Sequence, residues 1–152
     1  MGEFMALIGL NVTLMTALTS WFVAQVLKTI TFAWKDKEFN ARRMVGAGGM
    51  PSSHTSLVVS MAAAVGFHDG WESPLFAVTV VLASIVMYDA AGVRRAAGKQ
   101  AKVINELVRE MKVEHTIREN RLKELLGHTP LEVFAGALLG FGIAYGFHKL
   151  YL

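Results

Sequence analysis

Cysteine is absent from this 152-residue chain, which excludes a disulfide framework and a thiolate metal site and leaves the redox compartment unread. Charge is scarce as well: Asp, Glu, Lys and Arg make up 18% of residues against 53% hydrophobic ones, and mean hydropathy is +0.41. So oily a composition excludes an ordinary water-soluble domain and implies an integral membrane protein, a single domain by length. The three prolines, Pro51, Pro74 and Pro130, each head an apolar stretch. There is no internal repeat or low-complexity tract, and nothing calls for a nucleic-acid partner.

Four stretches are apolar enough to cross a bilayer, which takes about 20 residues: Met5 to Leu27, Pro51 to Phe67, Pro74 to Ala91 and Pro130 to Leu150. The first has Glu3 rather than a basic region before it and outruns a signal-peptide core, so it is expected to be a retained span. The second is short and holds Ser52, Ser53, Thr55, Ser56 and Ser60, which predicts that its first turns line a protein-covered or wet cavity. Lys35, Lys37, Arg42 and Arg43 lie between the first two spans and nine more basic residues lie from Arg94 to Lys123, thirteen of the fifteen in all. The positive-inside bias therefore predicts cytoplasmic placement of both basic segments, with both termini outside. Within the second segment, Val103, Ile104, Leu107, Val108 and Met111 recur at helical spacing. Residues 96–126 are expected to form a cytoplasmic amphipathic helix or hairpin, its basic side chains resting either on anionic headgroups or in solvent.

With this topology every unusual polar cluster falls at one membrane face. Gly48-Gly49-Met50-Pro51-Ser52-Ser53-His54 is a glycine turn opening a helix. Pro51 suits the first helical turn, and the amides of Ser52 to His54, with the serine hydroxyls, form a candidate anion site. Loop-to-helix capping is the plainer account of the same glycine, proline and serines. Gly127-His128-Thr129-Pro130-Leu131-Glu132 opens the last span. Thr129 and Glu132 match a capping box, and Glu132 also stands where it could hold one imidazole nitrogen of His128 and leave the other as a nucleophile. Asp89 and Arg94-Arg95 close the third span: the guanidiniums suit phosphate oxygens or headgroup anchoring, and Asp89 suits orienting one of them. Lys28 ends the first span at the same face. His68, His115 and His148 lack such company and are expected to be surface or packing residues, and Trp34 and Trp71 fit interfacial belts.

Taken together, Ala24-Gln25-Val26-Leu27-Lys28, Gly48 to Ser56, Asp89 to Arg95 with Gly98 and Gln100, and Gly127 to Val133 resemble the divergent, small bacterial-type branch of the type 2 phosphatidic acid phosphatase and vanadium haloperoxidase superfamily. The resemblance implies an all-α membrane bundle of about four transmembrane helices, a single phosphatase-like domain over residues 1–152, with 96–126 as a cytoplasmic insertion. It implies metal-independent hydrolysis of a lipid phosphate without a cofactor: His128 attacks phosphorus, His54 protonates the leaving oxygen and Glu132 takes the motif's aspartate position. Phosphate binding would fall to Lys28, Gly49, Ser52, Ser53, Arg94 and Arg95. Leu122 stands where the superfamily has the motif arginine, so Arg94 or Arg95 is expected to replace it across the insertion. Other readings are a non-catalytic membrane protein binding anionic headgroups or a partner, and a small transporter subunit. A homodimer is also expected, because lateral cover for the short second helix looks thin from sequence.

Overall fold

The computed structural model describes residues 11–36, 49–111 and 127–151, and every regular element among them is helical. In chain order these are α1 (Val12–Asp36), α2 (Ser53–Asp69), α3 (Pro74–Tyr88), a π-helical turn (Asp89–Val93), α4 (Arg94–Met111) and α5 (Pro130–Tyr151). Helix α2 is central and packs against α1, α3 and α5, while α1 also meets α5.

Local chemistry sets the starts. Asn11 Oδ1 accepts from Leu14 N at 2.9 Å ahead of α1, and Ser73 Oγ accepts from Phe76 N at 3.1 Å with Pro74 next in line for α3. Side-chain caps of this kind satisfy amides that have no partner within the helix. Glycine then brings helices together. A Cβ on Gly136 would stand 2.5 Å from Ser52 O and one on Gly140 2.6 Å from Ser56 O, so α5 lies almost backbone to backbone on α2. From α1, the Ser20 hydroxyl meets that of Ser56 at 2.6 Å and Ser20 Oγ donates to Ser56 O at 3.0 Å.

This interior is the reverse of a soluble core. Among the described residues the buried hydrophobic side chains are alanines and the valines Val58, Val65 and Val133, joined by Thr16, Ser20, Ser52, Thr55, Ser56 and Ser60. The bulky side chains face outward: Val78, Val81 and Ile85 on α3, Phe134 and Leu138 on α5, Phe22 and Ile30 on α1. Small and hydroxylic residues inside with large apolar ones outside is how helices pack in lipid, where close backbone approach rather than water exclusion drives association. The α3–α4 run (Pro74–Arg109) and α5 (Pro130–Leu150) are long and apolar enough to cross a membrane.

Several boundaries differ from the sequence reading. Helix α1 runs on to Asp36, so Lys28 sits inside a helix rather than at its end. Ser52 is the cap of α2, accepting from Thr55 N at 3.4 Å, so Pro51 precedes the helix instead of occupying its first turn. Asp89 to Arg95 do not close a helix: α3 passes through the π turn straight into α4, which begins at Arg94 rather than Ala96. The amphipathic helix is present to Met111, and the rest of the 96–126 segment lies outside the described residues, as do Arg42, Arg43 and His115. Helix α2 takes its lateral cover from three helices of its own chain, which removes the packing argument for a dimer.

Candidate active site

The starts of α2 and α5 and the π turn after α3 meet at one end of the bundle, and their backbones are tied together before any side chain is considered. Ser52 N donates to Glu132 O at 3.0 Å, joining the start of α2 to the first turn of α5. His128 N donates to Ala90 O at 2.8 Å, joining the approach to α5 to the π turn. A π turn leaves carbonyls out of the regular ladder; Arg94 N reaches back to Asp89 O, and the carbonyl of Ala90 is taken by His128. Gly127, at φ +88°, has no room for a side chain, because a Cβ would collide with Arg95 N and lie 2.8 Å from Arg94 C. Glycine alone tolerates both that angle and that approach.

The two histidines converge. Their rings lie 6.1 Å apart, centroid to centroid, edge to face at 62°. His128 is buried at 3% exposure. Its Nδ1 lies 3.0 Å from Glu132 Oε2, and its Nε2 is buried with no hydrogen-bond partner among the described residues. A carboxylate at Nδ1 fixes the tautomer with the proton on Nδ1 and leaves a lone pair on Nε2. Glu132 is also a cap: Thr129 N donates to the same Oε2 at 3.2 Å, and Glu132 N donates to Thr129 Oγ1 at 3.3 Å. Both contacts that the sequence allowed for Glu132, to the His128 ring and within the capping box, are therefore made by one carboxylate.

Lys28 comes in from α1 and is buried at 2% exposure. Its Cε packs 3.3 Å from where a Cβ on Gly49 would stand, beside the Phe32 ring, and Gly49 has φ +95°. Thr31 Oγ1 donates to Met50 O at 2.9 Å and holds the same loop onto α1. A buried ammonium under a glycine turn is a strong point charge for an anion. Arg94 Nε donates to Asp89 Oδ2 at 2.6 Å, as the sequence suggested for an orienting acid.

Not every expected donor is free. The Ser52 amide is spent on Glu132 O, and its buried hydroxyl accepts from both Thr55 N and Thr55 Oγ1. Ser53 is buried at the first position of α2. Arg95 contributes its backbone, against Gly127. The Ala90 carbonyl was not anticipated: the sequence signals there, Gly92 and the double arginine, read as a helix end, and a carbonyl acceptor leaves no trace in side-chain chemistry. At the opposite end His148 stacks on Phe67 at 4.6 Å, Trp71 packs on Phe67 and Phe76, and exposed His68 pairs with Asp69 at 3.3 Å. Among the described residues no group of acidic or histidine side chains is arranged to hold a metal ion.

Residues 10–143 match the Divergent PAP2 family. The chain is 39% identical over 141 residues to the uncharacterized membrane protein YuiD of Bacillus subtilis (strain 168), covering 86% of this chain and 89% of that protein. No solved structure matches. The match takes in Lys28, His54, the π turn, His128 and Glu132 together, and by it the chain is a membrane protein that belongs to the divergent PAP2 family.

Proposed function

We propose that the protein hydrolyses lipid phosphates, monoester or diphosphate, at the cytoplasmic membrane face through a phosphohistidine on His128. The observation that carries this reading is the state of His128: Nδ1 held by Glu132 at 3.0 Å, Nε2 buried without a partner, and the His54 ring 6.1 Å away. A buried polar atom left unpaired is costly and calls for a role.

The Nε2 lone pair attacks phosphorus, and the bond from phosphorus to the lipid oxygen breaks. That oxygen leaves with the electron pair and takes the proton held by His54. A water then attacks the phosphohistidine, the P–N bond breaks, inorganic phosphate leaves, and His54 recovers a proton from the water. Glu132 stabilises the positive charge that the imidazole of His128 gains in the first step. Lys28, Arg94 and the Gly49 turn, with Ser53 beside it, surround the anion and act most strongly on charge developing at the transition state. Ser52 and Arg95 serve as scaffold, since their backbones hold Glu132 and Gly127. The reaction as written calls on neither metal nor cofactor. With the motif ends cytoplasmic, the chain would cross the membrane four times and the substrate tail would lie along the outward apolar faces.

Turnover needs His54 protonated and His128 neutral. Opposite protonation requirements on the two imidazoles give a bell-shaped rate profile. The test is phosphate release across phosphatidic acid, phosphatidylglycerol phosphate and polyprenyl diphosphate by wild type and His128→Ala. Release by the wild type that vanishes in a folded variant supports the reading; equal release by both refutes it. The capping bonds of Glu132 favour one other reading, a non-catalytic pocket for anionic headgroups, in which wild type binds lipid phosphate but neither releases phosphate nor becomes phosphorylated on histidine.

A further inference from the structure

Helix α4 carries an apolar stripe with no role in the site. Val103, Ile104 and Leu107 are 57%, 46% and 53% exposed, whereas Gly98 and Ala101 of the same helix are buried. The stripe is continuous with the outward face of α3: from Ile85, the exposed Tyr88, Val93, Val103 and Leu107 share one face, the long step from Tyr88 to Val93 being taken up by the π turn. The face that α3 turns outward, away from the bundle, thus carries on along the helix beyond the site.

The charges on α4 complete the pattern. The sequence of α4 is rich in positive charge, with Arg94, Arg95, Lys99, Lys102 and Arg109 against two glutamates. Lys99 and Lys102 are exposed, beside the stripe rather than within it. At 18 residues the helix is about 27 Å long. Directed straight into water it would keep its stripe wet over that length; laid along the bilayer on the side of α3's outward face, it turns the stripe to the acyl chains and its lysines to the headgroups.

We propose that α4 is an interfacial helix that docks on the anionic surface of the bilayer in which the bundle sits, with Val103, Ile104 and Leu107 in the acyl–headgroup boundary and Lys99 and Lys102 on lipid phosphates. The inference rests on exposure and charge complementarity and is independent of whether His128 is a nucleophile.

The absence of cysteine makes the test clean. Leu107→Cys and, on the far side of the helix, Arg109→Cys are each labelled with an environment-sensitive dye in the full chain, in bilayers of phosphatidylcholine alone or mixed with phosphatidylglycerol. The expected result is that lipid with brominated acyl chains quenches the dye at 107 but not at 109, and that adding phosphatidylglycerol strengthens this quenching while aqueous iodide loses most of its effect at 107. In the Lys99→Gln/Lys102→Gln variant the response to phosphatidylglycerol should disappear with helix content unchanged. Iodide quenching at 107 equal to that at 109 in both lipids overturns the proposal. So does a dye at 107 shielded from iodide and bromine alike in every lipid, or a disulfide joining two copies of the unlabelled Leu107→Cys chain, since protein would then cover the stripe.

Discussion

Glu132→Gln separates two functions that share one atom. Oε2 accepts from Thr129 N at 3.2 Å and lies 3.0 Å from His128 Nδ1. Both neighbours present N–H groups, so the amide of glutamine places its oxygen there and its nitrogen away, and cap and tautomer both persist. Only the charge is lost. A hydrogen bond to a charged group contributes about 1.5–3 kcal/mol against about 0.5–1.5 for a neutral pair. The difference, about 1–1.5 kcal/mol, falls on the step in which His128 becomes positive and corresponds to roughly a tenfold loss of kcat. The melting temperature should move little. Thr129→Ala makes the reverse change: it removes the acceptor of Glu132 N at a cost of about 0.5–2 kcal/mol in stability, while the carboxylate on His128 remains. The assay is kcat for phosphate release beside thermal unfolding in the same detergent. Unchanged kcat in Glu132→Gln, or the same loss of kcat in both variants, would refute the division of labour, because a carboxylate that only caps a helix has no reason to affect chemistry.

Three further outcomes follow from the packing. Lys28→Met keeps the buried aliphatic stem but removes the charge beneath the Gly49 turn, so KM for lipid phosphate should rise and inhibition by inorganic phosphate should weaken, both measured on phosphate release. Gly140→Val inserts bulk where a single Cβ would already stand 2.6 Å from Ser56 O and 3.0 Å from Ser60 N; α5 must separate from α2, and loss of about 1–3 kcal/mol should appear as a lowered unfolding temperature. Gly127→Ala forces a side chain onto the backbone of Arg95 at φ +88°, and strain of about 1–3 kcal/mol at the residue before His128 should lower kcat more than KM.

The site was more legible in the sequence than the elements that carry it. His54, His128 and Glu132 stand beside glycine, proline and threonine in patterns that define helix starts, so their meeting at one end follows from topology. Lys28 was legible as a cation at a membrane edge but not as a buried one, since its burial goes with the Gly49–Met50 loop that Thr31 holds onto α1, some twenty residues further along the chain. The π turn was hidden because Gly92 and Arg94-Arg95 are also what ends a helix. Outward and inward faces were hidden as well: the spans are apolar all round, and which side is small enough for close approach emerges only when Gly136 and Gly140 meet Ser52 and Ser56.

The missing motif arginine and the junction at Gly127 are two aspects of one arrangement. Leu122 occupies the motif position in sequence, yet in space the residue before His128 abuts Arg94 and Arg95, so the chain returns to the point where it left. Under the proposed mechanism Arg94, held by Asp89 at 2.6 Å, takes the part of the arginine that precedes the nucleophile in the superfamily motif. If the intervening segment is an insertion, it is dispensable to the site. Deleting Lys99 to Lys123 leaves Ala96 to Gly98 and Glu124 to Leu126 to bridge ends already in contact, a loop near the usual length of about 4–6 residues. Arg94 and Arg95 stay as basic anchors on that side. The shortened chain should still insert, unfold cooperatively and release phosphate in a His128-dependent way, and Arg94→Ala within it should abolish release as in the full chain. A shortened chain that folds but has lost turnover, with Arg94 intact, would place the phosphate contact in the excised segment instead.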